Sequence, residues 1–476
     1  MGERRTMTMT TMSTGSEGQE GREPQTPGGH HVAANSDGAP APSRDPRSQR
    51  LPPPLEPLSM RIGSPLPQQF ATSEPGIGGR IKVRAEDFLV DEIPLYPLSG
   101  SGEHLYLGVQ KINTSHAEMM SVLRRHFGVG DGSIGFAGMK DKVGVTRQTI
   151  SIHLPGAEIP ETPLDHQRIQ ILWRDRHHNK LRLGQLAGNR FSIRVRDVDP
   201  MKAPQALRIL RQLERGGVPN YFGEQRFGYR GNNHVLGAYV LRGDWRHACT
   251  FLLGQAGGGF QEYQRPRREL YDAGRYDEAA AQWTTADRNE LIVIRKLAKG
   301  TRPRDALLAV GDTAVEFWIS ALQSAIFNRV LDERIRSGCL ATLAEGDLAC
   351  KHENRSMFHV TAEALASGEL AQRLTANEIA PTGPLWGPGM LMPSGATLEA
   401  EQQALMAAGF DVEKFLAFKR VLEGQRRPMT VPLRHASLDA GMDEHGEYIR
   451  VAFDLPRGSF ATVVMHEIMK NAAADT

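Results

Sequence analysis

The 476-residue chain is predicted to fold as α+β, with helices and a mixed, largely antiparallel sheet, on three observations. Strand-like and helix-like segments alternate irregularly between residues 79 and 217, and several strands follow one another with no helix between them, an order that favours antiparallel pairing. From Val218 the texture changes to glycine-punctuated loops and longer helices. Near the end, residues 447–455 (EYIRVAFDL) return to strand pattern; if they complete the first sheet, the middle region is an insertion in a discontinuous domain.

Residues 1–75 are rich in Gly, Pro, Ser and Thr, include Pro52-Pro53-Pro54, and lack the periodicity of either helix or strand. Such a segment buries too little apolar surface to offset chain entropy, so a disordered extension is expected, with Met60 as an alternative start. Order is expected from Gly79, with strand composition at 81–83 and 88–93 and a second strand over 103–112. The segment TSHAEMMSVLRRHFGV reads as a helix, because Ser115 and Glu118 have capping-box spacing and Ala117, Met120, Val122 and Leu123 form an apolar stripe. The turn GVGDG ends it, a short strand (133–136) leads into the loop at 137–142, and 146–154 is the next strand. Strands near 169–173 and 190–198 follow, then a helix over 204–215 closed by Gly216-Gly217. The best of the longer helices is expected at 314–338 and the last helix at 459–470.

Composition excludes several function classes. Apolar residues make up 40% and charged residues 24%, with mean hydropathy −0.40, the profile of a globular protein. No window reaches the roughly 18 apolar residues of a membrane span. The three cysteines, Cys249, Cys339 and Cys350, have no CxxC spacing and no apolar leader precedes them, which favours a reducing cytoplasm. Nor do they offer zinc-ligand spacing, and His177-His178 point to opposite faces of a strand, so no metal is expected.

Two segments could carry chemistry. In GFAGMKDKVGVTRQ, residues 135–148, glycines flank the Lys140-Asp141 pair between two strands. Glycine lets backbone approach a ligand, and a strand-end loop holds a carboxylate rigidly; a plain solvated turn is the alternative. Between Arg174 and Arg196 there are seven basic residues against one acid, interleaved with Trp173, His177, His178 and Phe191. That pattern suits a surface that tracks phosphates and stacks bases, or else a solvated charged hairpin.

Seven separated stretches, in order, resemble the tRNA pseudouridine synthase D (TruD) family: KVRAEDFLVDE, GEHLYLGVQK, FAGMKDKVGVTRQ, LAGNRFSI, GVPNYFGEQRFG, TGPLWG and LPRGSFATVVMHE. The likeness runs from about residue 79 to the C-terminus; residues 1–75 have no counterpart and 257–304 read as extra length. The resemblance implies a pseudouridine synthase fold interrupted by an α/β insertion domain that helps form an RNA-binding cleft. Its boundaries are expected at 76–217 and 431–476 for the catalytic domain and 218–430 for the insertion. It also implies an enzyme, without cofactor, that isomerises a flipped-out uridine to pseudouridine, usually uridine 13 in the D arm of tRNA. By carry-over of the motifs, Asp141 is the catalytic carboxylate and Lys82 its partner, while Phe88, Asn189, Phe191 and Phe460 line the uridine pocket, Phe191 stacking on the base. A monomer is expected.

These residue types suit the chemistry. An ionised aspartate could add to C1′ or to C6, or could take a proton from C2′, and a nearby lysine favours its charged form. An aromatic ring can replace stacking lost on flipping, and an asparagine amide offers both a donor and an acceptor to the uracil edge. The rival reading is a non-catalytic RNA-binding or tRNA-chaperone protein that keeps the cleft.

Overall fold

A computed structural model describes residues 62–156, 163–416 and 422–471, all within one compact unit. Its main sheet has eight strands. The first six are β1 (Phe88–Pro94), β2 (His104–Ile112), β3 (Ile134–Phe136), β4 (Val145–His153), β5 (Ile169–His177) and β6 (Leu186–Arg196). Six short strands belong to the middle region: β7 (Val218–Pro219), β8 (Leu348–Lys351), β9 (Met357–His359), β10 (Ile379–Leu385), β11 (Gln425–Pro428) and β12 (Thr430–Val431). The main sheet is completed by β13 (Arg434–Asp443) and β14 (Gly446–Pro456), in the order β13-β14-β6-β1-β4-β2-β5 with β3 on β4. Only β1 and β4 run parallel, so the sheet is mixed and largely antiparallel, and β14 pairs with β6 from Tyr448↔Arg196 to Pro456↔Gly188. The chain therefore returns to its first sheet after the middle region, whose own four-stranded sheet has the order β11-β10-β8-β9.

Cross-strand partners point to one side of a sheet. By that rule Leu105, Leu107 and Val109 of β2 share a face with Ile150 and Ile152 of β4, and all five are buried under helix α1 (His116–Phe127). Ser115 caps α1 by accepting from the Glu118 N–H, and Gly128 ends it at φ 63°, as the sequence pattern predicts. Farther along the same face, Phe88, Val90, Phe191, Ile193 and Phe453 enter a larger core with helix α2 (Ala203–Gly216), the 25-residue helix Asp312–Arg336 and the C-terminal helix Ala461–Met469. Between the two apolar clusters lies a strip of buried polar side chains, Lys111, Thr146 and Gln148, with Glu92 beside it.

Two expectations change. Residues 81–83 are not a strand: Lys82 sits at φ 58°, which breaks extended backbone, and only Arg80 bridges to Arg196. Residues 62–75 are packed rather than part of a loose extension. The Ala71 and Thr72 N–H groups donate to the buried Glu467 carboxylate, Gln68 N–H donates to Asp332, and Ile62 joins the main core. Residues 1–61 of the expected extension lie outside the described residues. Among those described, no helix is long and apolar enough to cross a membrane.

The same segment meets a buried histidine. His234 is 3% exposed, T-stacked on Phe227 and hydrogen-bonded to the Gly63 backbone. Burial lowers its pKa to about 4, the Gly63 contact opposing. Below its ordinary pKa the unfolded chain takes up a proton that the folded chain refuses, so this contribution to stability is present above about pH 6.5 and lost as pH falls toward 4. The stability difference between wild type and His234→Gln, measured by urea unfolding, should fall by roughly 2–3 kcal/mol between pH 7 and pH 4.

Candidate active site

Asp141 stands in the loop between β3 and β4, at the start of the parallel β1–β4 pair. Both ends of the loop are tied down. Asn113 and Gly144 exchange hydrogen bonds of 3.0 Å, and Gly184 N–H donates to the Ala137 carbonyl at 2.7 Å. Gly144 has φ +115°, and a Cβ there would come within 2.6 Å of the Phe88 carbonyl, so the residue type is dictated by close approach of loop and strand. From below, the fully buried Lys111 donates to the backbone carbonyls of Thr114 (2.8 Å) and Asp141.

The Asp141 carboxylate is 40% exposed and has two neighbours. Lys82 Nζ lies 3.7 Å from one oxygen, and Gln225 Nε2 donates to the other at 3.1 Å. Lys82 Nζ also stands 4.6 Å over the Phe88 ring, a cation–π contact that steers the ammonium. Phe88 in turn meets Phe191 edge-on at 6.5 Å, and Phe191 packs on Phe453 at 5.6 Å. On the same face Asn189 pairs across from Glu92. Lys140, the neighbour of Asp141, bridges them, 2.9 Å from Glu92 Oε2 and donating to Asn189 Oδ1 at 2.6 Å. A held carboxylate beside an ammonium, an aromatic cluster and a positioned amide make a site for acid–base or nucleophilic chemistry on a flat polar ring.

The family model for tRNA pseudouridine synthase D (TruD) matches residues 67–468. The chain belongs to this family. It is 42% identical over 406 residues to tRNA pseudouridine synthase D of Geobacter metallireducens, covering 84% of this chain and 97% of the relative. With the Thermus thermophilus protein of that name it shares 33% identity, covering 85% and 93%. A crystal structure assigned to tRNA pseudouridine synthase D of Methanosarcina mazei superposes with TM-score 0.74 at 26% identity, covering 88% of this chain and 99% of that one. The protein is thus an RNA pseudouridine synthase, an isomerase, with the fold of its family.

The structure brings together Asp141, Lys82, Phe88, Asn189 and Phe191. Phe191 is only 6% exposed, its ring held between Phe88 and Phe453. Phe460 opens the C-terminal helix and packs against the main core. The loop before it is tethered by Arg457, which donates to the Gly184 carbonyl, and Gly184 is the residue bonded to the Asp141 loop.

The run of cations from Arg174 to Arg196 does not form one surface. Arg190 is paired with Asp454, Arg196 is buried against Asp87 and Asp443, and Phe191 lies in the core. Strand alternation divides the run between faces and strands, and Asp87 just before β1, Asp443 of β13 and Asp454 of β14 neutralise its second half. Lys111, Glu92 and Gln225 are site residues that the motif reading passed over, and Lys140 was noted beside Asp141 but given no role. Parity would have flagged two of them: Lys111 follows Leu105, Leu107 and Val109 on the buried face, and Glu92 follows Phe88 and Val90.

Lys82 supplies charge but, at 3.7 Å, no tight bond. Lys82→Met is expected to lower kcat by about tenfold to a hundredfold with KM within about threefold, the pattern for an electrostatic aid to the reaction step. Steady-state kinetics on tRNA would check this, and an unchanged kcat would remove Lys82 from the mechanism.

Proposed function

We propose that this synthase converts uridine 13 in the D arm of tRNA to pseudouridine, with Asp141 as the catalytic carboxylate and no metal or cofactor. The observation that carries the reading is Asp141 itself: an accessible carboxylate on a loop anchored at both ends, with an ammonium 3.7 Å away. The reaction breaks the bond from N1 to C1′, turns the uracil, joins C5 to C1′ and moves the C5 proton. Atoms balance within the nucleotide, so no oxidant or energy source enters. An ionised aspartate serves each of the routes open to it, and Lys82 keeps opposite charge beside it.

The target uridine leaves its stack and enters between the Asp141 loop and the Phe88–Phe191–Phe453 cluster. Phe191 supplies aromatic contact, Asn189 meets the uracil edge and Phe460 closes the pocket. Met139, Val143 and Leu183, all exposed, give the mouth an apolar rim suited to unstacked bases. A cleft of about 660 Å³ opens between the ends of β6 and β14 and the four-stranded sheet, lined by Lys351, Arg355, Arg373 and Arg434 together with Glu353 and Glu378. Three of those cations, Lys351, Arg355 and Arg373, belong to the middle region and support its role in holding tRNA phosphates, while Arg434 opens β13. In this reading residues 76–217 and 431–476 are the catalytic domain, 218–430 the insertion, and the enzyme acts as a monomer in the cytoplasm.

Site mapping tests the substrate assignment. A tRNA transcript incubated with the enzyme should carry pseudouridine at position 13 alone, and a uridine-to-cytidine change at that position should abolish product. Product at another position, or product that survives the change, would overturn it.

A further inference from the structure

Lys140 adjoins Asp141 in sequence, yet its side chain is turned inward, 7% exposed against a Glu92 side chain that is 2% exposed. The other oxygen of Glu92, Oε1, accepts from the Thr149 backbone N–H at 3.1 Å. A chain of polar contacts thus runs from Thr149 to Glu92, from Glu92 to Lys140, and from Lys140 to Asn189. Each link has a fixed sense, because a backbone amide and an ammonium only donate while a carboxylate only accepts. The last link decides something that an asparagine leaves open. The two ends of its amide have nearly the same shape, but only the oxygen can face an ammonium at 2.6 Å, so the NH2 must face away. Among the described residues that NH2 meets no acceptor.

We infer that Lys140 is a specificity-determining residue. By holding the Asn189 amide with its NH2 toward the base, it sets the site to read uracil through O4. Cytosine carries an amine at that position and would set donor against donor, at the cost of two unpaired polar groups. Lys140 acts through Asn189 and does not touch the base. The inference rests on the proposal that Asn189 faces the target.

The test compares kcat/KM on tRNA transcripts bearing uridine, 4-thiouridine or 2-thiouridine at the target position, since sulfur accepts hydrogen bonds weakly. Wild type is expected to disfavour 4-thiouridine by about tenfold and to treat 2-thiouridine nearly as uridine. In Lys140→Met the amide is free to turn, and the 4-thiouridine penalty should shrink to within about twofold. Asn189→Asp keeps a partner for Lys140 but has no NH2; it should lose the same penalty, and it serves if Lys140→Met does not fold. A wild type blind to 4-thiouridine, or a Lys140→Met enzyme that keeps the full penalty, would overturn the inference and leave Lys140 as a support of the loop. A wild type that makes no pseudouridine from the uridine transcript would instead sink the proposed function, and this inference with it.

Discussion

Asp141→Asn is expected to lower pseudouridine formation by about 10⁴-fold while leaving tRNA affinity within a few fold. The substitution is nearly isosteric, and the loop does not depend on the carboxylate for its position. Lys111 holds the Asp141 backbone carbonyl, Asn113 holds Gly144, and Gly184 holds Ala137, none of them through the Asp141 side chain. The asparagine amide can still meet Gln225 through its oxygen. What it lacks is the negative charge and the nucleophilic or basic oxygen that every route open to Asp141 requires. Single-turnover assays of the variant, with affinity measured by filter binding, separate the two effects. A variant that turns over within tenfold of wild type would mean that Asp141 is the wrong residue.

The largest effect on stability is expected at Arg196→Met. The Arg196 guanidinium, 4% exposed, donates to Asp87 Oδ1 at 3.0 and 2.7 Å and to both Asp443 oxygens at 2.7 and 2.8 Å. Asp443 keeps some contact with water, but Asp87 is fully buried and would be left as a lone charge. Breaking one side of such a pair costs about 3–5 kcal/mol, whereas replacing both members with apolar residues of similar volume is often close to neutral. Urea unfolding should show that loss for Arg196→Met and recovery of most of it in Arg196→Met combined with Asp87→Leu. Asp87 immediately precedes Phe88, and Asp443, the other carboxylate held by Arg196, ends β13, so Arg196 also pins the aromatic part of the site to the far edge of the sheet.

Much of the site was legible because its motifs fall on regular elements. The capped helix α1, the loop after β3 and the returning strand β14 stand where periodicity and turn residues place them, within a residue or two. Local pattern failed where tertiary geometry overrides it. Ile81-Lys82-Val83 has strand composition, but the turn that brings Lys82 to Asp141 puts this lysine at positive φ. Residues 62–75 have no period of their own, because their backbone is satisfied by single side chains far away in sequence, Glu467 and Asp332. The Arg174-to-Arg196 run looked like one basic surface because the sequence does not display Asp87, Asp443 and Asp454 beside it. Lys111 and Glu92 were legible in principle, since a charged residue continuing a buried alternation needs a partner.

The most direct test of the account is the pseudouridine content of an unmodified tRNA transcript with uridine at position 13, incubated with purified wild-type protein and chelator, with no metal or nucleotide added. The account predicts one pseudouridine per transcript with no change in RNA mass. A transcript that is bound tightly and returned unmodified would contradict it, and would point instead to an RNA-binding protein that keeps the cleft without the chemistry.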